Sequence, residues 1–178
     1  MPDPFEPLAR RHDRSGFSCG RAELDAYLRQ RAGQDARRGA ATCYVADLPD
    51  PRTGKARVAA FYTLSAASVL LADMGAVAER LPRYPSVPCV LIGRLAVDRA
   101  FGGRGLGAMA VVDAARRSRA SGIGAVGLVV DAVEEAVAFY ERLGFVRLAS
   151  ASPSPSAGGA RRLFVPLATV LRAVDEAP

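Results

Sequence analysis

The stretch FGGRGLG, residues 101–107, sets four glycines around Arg104 directly after the apolar run CVLIGRLAVD. Glycine is costly in a regular element, so a cluster of this kind belongs where the backbone bends tightly or comes very close to something. Gly102, Gly103, Gly105 and Gly107 let successive N–H groups point into one concavity at the positive end of a following helix. That is an anion site by geometry and dipole together. Arg104 adds direct charge, and a pyrophosphate is the anion that suits the pattern. No Gly-Lys-Ser/Thr follows, so this is not a Walker A loop, and the spacing fits a dinucleotide fingerprint poorly.

Other chemistries have little to work with. His12 is the only histidine, and nothing forms a Ser-His-Asp or Cys-His arrangement. Cys19, Cys43 and Cys89 lie far apart with no CxxC, which argues against a structural zinc site and reads as buried or idle thiols in a reducing cytoplasm. Tyr140 falls on an i, i+3, i+4, i+7 stripe with Ala136, Phe139 and Leu143. A phenol has a reference pKa of about 10, so Tyr140 is either a proton donor at neutral pH or an amphipathic core residue. Alternation along VLIGRLAVD puts Ile92, Arg94 and Ala96 on one face of a strand and Leu91, Gly93, Leu95 and Val97 on the other. An arginine there is either a structural ion pair or reaches a cleft.

The formal charge is +6 with a pI near 9.8, and every basic residue but Lys55 is arginine. Such a balance favours an anionic partner: nucleic acid, a phosphorylated cofactor, an acidic protein or a membrane surface. Arg10, Arg11, Arg14, Arg21, Arg29, Arg31, Arg37 and Arg38 make the first forty residues strongly basic. As a cluster they read as a phosphate-binding face, which Arg83, Arg94, Arg161 and Arg162 extend. No signal-peptide core and no apolar run of about 18 residues occurs, so a soluble cytoplasmic protein without a membrane role is expected.

The elements that must position these residues follow from local pattern. At 178 residues the chain fits one domain, 1–178, able to bury roughly 70% of its unfolded surface. Residues 1–16 read as a basic arm or short edge segment. Residues 20–38 read as a helix with Leu24, Tyr27, Leu28 and Arg31 on one face and Gly33 ending or bending it. Strands are expected at 41–48, 56–71 and 90–98, with the turn PDPRTG between the first two and a short helix over 72–82. Helix 105–120 should show Asp113, Arg116, Arg117 and Ala120 on one face opposite Ala108, Val111, Val112 and Ala115. AVGLVVDA is a nearly continuous apolar strand, Asp131 and Glu134 resemble a capping box for the next helix, and Gly144 stops that helix. FVRLAS and RRLFVPLATV read as closing strands around a flexible loop at about 150–160. Asp98, Glu134 and Glu135 are expected to cap or face solvent. The order predicts an α/β (α+β) fold, a mixed sheet flanked by helices.

LAVDRAFGGRGLGAMAVVDA resembles motif A of the Gcn5-related N-acetyltransferases (GNAT), and AVAFYERLGF resembles their later helix-plus-strand motif. More narrowly, YPSVPCVLIGRLAVDRAFGGRGLG, FYTLSAASV and FSCGRAELDAYLRQRAGQDARRG are similar to the acetyltransferase toxins of bacterial type II toxin–antitoxin pairs. The resemblance implies the GNAT acyl-CoA N-acyltransferase fold and acetyl-CoA as acetyl donor. It places Leu95, Ala96 and Val97 along the pantetheine arm, and Gly102, Gly103, Arg104, Gly105, Leu106, Gly107 and Ala108 at the pyrophosphate. Phe139 joins the cofactor contacts, and Tyr140 takes the role of general acid. Glycine stands at Gly102, where the family signature has Gln or Arg, which removes one side-chain stabiliser of the loop.

The narrower resemblance implies transfer of acetyl to the free amine of aminoacyl-tRNA, inhibition of translation, silencing by a ribbon-helix-helix antitoxin, and a homodimer. Arg94, Arg37 and Arg38 are the candidate substrate contacts. Two other readings stay open at this level: a housekeeping acetyltransferase acting on a protein N-terminus or small amine, and a non-catalytic module that binds CoA or a partner.

Overall fold

The computed structural model describes residues 4–149 and 160–175. Among them, seven strands form one mixed sheet in the order β1-β2-β3-β4-β5-β7-β6. The strands are β1 (Phe5–Pro7), β2 (Thr42–Pro49), β3 (Ala56–Leu70), β4 (Ser86–Val97), β5 (Gly127–Ala132), β6 (Val146–Arg147) and β7 (Arg161–Pro166). The flanking helices are α1 (Ala22–Ala26), α2 (Ala32–Arg38), α3 (Leu106–Ala120), α4 (Glu134–Arg142) and α5 (Leu167–Asp175). β4 pairs with β5 in parallel, whereas β1–β2, β2–β3, β5–β7 and β6–β7 are antiparallel. This is the expected fold class. Residues 150–159 of the expected flexible loop lie outside the described residues. No helix among the described residues is long and apolar enough to cross a membrane.

The chain divides into two compact units, Met1–Ser65 with Gly93–Asp113, and Ala66–Ile92 with Ala114–Pro178. In the first, Phe17, Tyr27, Leu28, Val45, Val58, Phe61 and Ala96 form a buried cluster. Phe17 meets Phe61 edge-on at 5.4 Å, and Tyr27 stacks on the same ring at 6.3 Å. Of the two alternatives for the opening segment, Phe5–Pro7 take the edge-segment one: β1 pairs with β2 at the sheet edge, and His12 is buried between the Ala9 amide and Glu6.

The expected helix over 20–38 forms with a π-helical turn, Tyr27–Arg31, between α1 and α2. The wider turn brings Ala32, not Arg31, onto the buried face after Tyr27 and Leu28, so Arg31 is exposed. Gly33 lies within α2, and Gly39, at φ +70°, ends it. In α3 the expected face is not uniform: Asp113 is buried, where the Tyr62 hydroxyl donates to its carboxylate, while Arg116 and Ala120 are exposed.

In the second unit, Val69, Met74, Val87, Cys89, Val129 and Phe164 form the core. The expected short helix over 72–82 is instead a pair of 3₁₀ turns across Leu71–Arg80, broken at Gly75. Asp131 does not cap α4, whose N-cap is Val133 with no side-chain cap. Its carboxylate is taken by Arg162, directly opposite on β7, through two hydrogen bonds of 2.8 Å. The expected closing strand ends at Pro166, and the residues after it form α5, which buries Leu167 and Val170 at helical spacing.

Gly127 on β5 has no room for a side chain. A methyl group there would overlap the Phe164 ring and the Val165 carbonyl oxygen, whereas Gly124 has open space around it. Gly127→Ala is therefore expected to lower unfolding free energy by about 3 kcal/mol. Gly124→Ala should leave it within about 0.5 kcal/mol, both read from urea titrations.

Candidate active site

The glycine turn is built from the end of β4. Asp98 is buried, and its carboxylate gathers four donors. Oδ2 accepts from Arg57 Nη1 at 2.8 Å and from the Ser18 amide at 2.8 Å; Oδ1 accepts from the Ala100 amide at 2.8 Å and Arg57 Nη2 at 3.2 Å. The bond to Ala100 caps the 3₁₀ turn Arg99–Phe101, so Asp98 does cap, but from inside rather than from solvent. Burial pushes the Asp98 carboxyl up, but the Arg57 guanidinium and the two amides overcome it and hold the group below its ordinary range. Arg57 in turn reaches Asp50 through Nε at 2.5 Å, and Asp50 closes the β2–β3 turn by accepting from the amides of Arg52 and Thr53. The Arg99 amide donates to Ser18, which ties the segment before α1 to the same corner.

From that corner Phe101 is fully buried, with the Arg57 guanidinium 4.9 Å and the Arg104 guanidinium 5.3 Å from its ring centre. Gly102, Gly103, Arg104 and Gly105 are exposed, and Leu106 is buried at the start of α3. Gly103 and Gly105 both sit at φ +75°, a conformation that L side chains rarely adopt. No atom stands within 4 Å of a Cβ placed on either. The Met109 amide is the first to bond back, to Gly105 at 3.0 Å. The amides of Leu106, Gly107 and Ala108 thus occupy the first turn, where helix geometry provides no internal acceptor. Open space at Gly103 and Gly105, these donors, a helix dipole and the Arg104 guanidinium over the Phe101 ring fit a diphosphate.

Leu95, Ala96 and Val97 lie on β4 just before this corner. The pairing of β4 with β5 runs from Cys89↔Gly127 to Ile92↔Val130, although β4 itself continues to Val97. Ile92 and Ala96 are buried, with Arg94 half-buried between them, as alternation requires. The Arg94 guanidinium lies 3.7 Å from the centre of the Tyr27 ring, whose hydroxyl donates to Asp35 at 2.8 Å. Arg94 is thus held by a stacking contact rather than by the ion pair weighed from sequence.

Tyr140 is on α4, in the other unit. It is 8% exposed, with edge contacts to Phe139 at 5.0 Å and Phe145 at 5.2 Å. Burial pushes its phenol up to about 12, so it carries its proton throughout the neutral range. Cys43 and Cys89 are buried thiols, raised to about 12 and about 11 by burial, and are poor nucleophiles. Glu134 and Glu135 are exposed on the first turn of α4. Arg37 and Arg38 stand exposed on the last turn of α2. Arg162 is engaged by Asp131 and adds little free charge. The residues that sequence reasoning missed are Arg57 and Asp50, whose only sequence signal was a charged pair flanking a Pro-Gly turn.

The chain belongs to the acetyltransferase (GNAT) family, whose model matches residues 19–145. It is 41% identical over 137 residues to a tRNA-acetylating toxin of Mycobacterium tuberculosis, covering 75% of this chain and 78% of that protein. Among solved structures it is similar to AtaT complexed with acetyl-methionyl-tRNAfMet, with TM-score 0.79, 27% identity, and coverage of 96% of this chain and 98% of that one. It is also similar to a mutant of the AtaT toxin bound to the C-terminus of the antitoxin AtaR and acetyl-CoA, with TM-score 0.72, 25% identity, and coverage of 97% and 98%.

Asp98→Ala leaves Arg57 and two amides facing a void and is expected to cost about 3–5 kcal/mol in urea unfolding. Because the folded carboxyl is held low, its contribution is complete above about pH 4 and lost as pH falls through the lowered value. Asp98→Asn should flatten that acid limb of the stability profile.

Proposed function

We propose that this protein transfers acetyl from acetyl-CoA to the free amino group of aminoacyl-tRNA, and so acts as a translation-inhibiting toxin. The observation that carries the reading is the open turn at Gly103 and Gly105, backed by a buried carboxylate and followed at once by a helix start. Acetyl-CoA supplies an acetyl group already activated as a thioester, so this chain needs to align, polarise and protonate rather than form a covalent intermediate. The amides of Gly102 to Ala108 and the Arg104 guanidinium hold the diphosphate. The β4 backbone at Leu95, Ala96 and Val97 takes the pantetheine arm as a neighbouring strand would, and directs an N–H at the thioester carbonyl. Support for this role is that β4 outruns its pairing with β5 by the five residues Gly93 to Val97.

Tyr140 gives its proton to the departing sulfur. The amine that attacks loses its own proton to solvent, which fits a chain whose one histidine, His12, is engaged at both ring nitrogens. Phe139 packs beside the phenol and lines the cofactor. Arg94, fixed on Tyr27, and the exposed Arg37 and Arg38 contact the tRNA. Glycine at Gly102 leaves the holding to main-chain donors and Arg104. On the same reading residues 1–178 form one acetyltransferase domain that opens on a basic segment at about 1–16. The protein pairs as a homodimer in the cytoplasm and is silenced by a ribbon-helix-helix antitoxin.

The test mixes purified protein, labelled acetyl-CoA and total charged tRNA. Label is expected on the aminoacyl group; label only on proteins or polyamines would overturn the reading. Tyr140→Phe should lower kcat by about 10²-fold or more while leaving the KM for acetyl-CoA and the melting temperature little changed. The wild-type rate should rise as the amine loses its proton and show no decline from phenol ionisation until pH nears the phenol value of about 12.

A further inference from the structure

Arginine side chains are spread over the first forty residues, but only some of them converge. Arg10, Arg11, Arg14 and Arg29 line one open concavity of about 460 Å³, with Asp13 and Ser15 completing its wall. The segment that carries them is fixed. The Val58 amide donates to the Asp13 carbonyl at 3.0 Å, and the Phe17 amide donates to the Arg14 carbonyl at 3.2 Å. Three of the arginines are themselves anchored: Arg11 Nη2 donates to Glu6, Arg14 Nη1 to the Leu28 carbonyl at 3.1 Å, and Arg29 Nη1 to the Phe17 carbonyl at 2.9 Å. Each anchor uses one of the five N–H donors of its guanidinium, which leaves the rest for a ligand and restricts the side-chain motion that binding would otherwise have to freeze.

The charge and shape of this concavity select a ligand class. Four guanidiniums outweigh the three carboxylates near them, Asp13, Glu6 and Asp47; the first two are hydrogen-bonded, and burial pushes the Asp47 carboxyl up toward its neutral form. Asp13 accepts from the amide and hydroxyl of its own Ser15, and Glu6 accepts from Arg11 and from His12 Nε2. The guanidinium fork matches phosphate oxygens two at a time. No phenyl, phenol or indole ring lines the concavity, and the His12 imidazole is engaged at both nitrogens, so nothing offers a stacking platform for a base.

We propose that this concavity is a docking site for the sugar-phosphate backbone of the RNA substrate, separate from the glycine turn that holds the cofactor. It rests on the reading that the acetyl acceptor is carried on RNA. Contacts of this kind position a nucleic acid without reading its bases. The site therefore sets affinity for any tRNA and leaves the choice among charged species to contacts elsewhere.

The test uses the full-length protein and two variants at exposed positions, Arg10→Ala/Arg11→Ala and Arg10→Glu, with Arg172→Glu on α5 as a charge control. Binding of deacylated tRNA is followed by fluorescence anisotropy across a salt series. Both variants should bind about tenfold more weakly at about 0.1 M salt, and the double variant should lower the slope of log K against log salt by about one to two. The KM for charged tRNA should rise in step, with kcat, the KM for acetyl-CoA and acetylation of a free aminoacyl ester unchanged. Unaltered affinity and slope would overturn the proposal. So would an equal loss in Arg172→Glu, a matching fall in ester turnover, or retention on anionic vesicles in place of tRNA. If wild type binds tRNA through Arg10 and Arg11 but acetylates none, the functional reading fails and this site stands. If tRNA is acetylated and the variants behave as wild type, the reverse holds.

Discussion

The buried carboxylate of Asp98 is the contact on which the glycine turn depends. A carboxylate removed from water is tolerated only when its lone pairs are filled, and here Arg57 and the amides of Ser18 and Ala100 fill them. Those partners come from β3, from the segment before α1 and from the first residues after β4. One group therefore fixes where β4 stops, in which direction the chain leaves it, and where Phe101 is buried. The open amides that follow are positioned by this corner and not by their own sequence, which is mostly glycine and holds no conformation unaided.

This division of labour accounts for the glycine at Gly102. A turn that relied on a Gln or Arg side chain for rigidity would be weakened by its loss. In this chain the rigidity comes from beneath, through Asp98 and the burial of Phe101, and the rim charge comes from Arg104. The donors that face outward are main-chain groups, which cannot be lost by substitution and need no side-chain ordering on binding.

The phenol of Tyr140 follows a different logic. Its environment is apolar, with Phe139 and Phe145 edge-on, and burial alone raises it to about 12. No charged partner is needed to keep it protonated, so the state of its proton is a property of packing. Of the two alternatives weighed from sequence, burial makes Tyr140 a core residue, and the same burial keeps its proton in place, the state a proton donor would need.

Local signals carried much of this protein. The turn-to-helix transition at Gly105–Leu106, the Tyr140 helix with its stop at Gly144, and the apolar strand β5 were legible because each depends on neighbours within a few residues. The readings that failed depended on partners far along the chain. Asp131 had the spacing of a cap, but Arg162 stands opposite it in the sheet and offers two hydrogen bonds where the helix end offered one. Asp113 was expected to share a face with Arg116 and Ala120, but the Tyr62 hydroxyl meets it in the interior, and Arg31 lost its place to Ala32 through a single widened turn. The sequence by itself determined where a glycine turn runs into a helix and where a phenol stands on a later helix, since backbone freedom and helical spacing are local. Only the tertiary structure decided that Asp98, Arg57 and Asp50 brace that turn, and that four of many arginines share one concavity, because charges settle where distant strands bring them together.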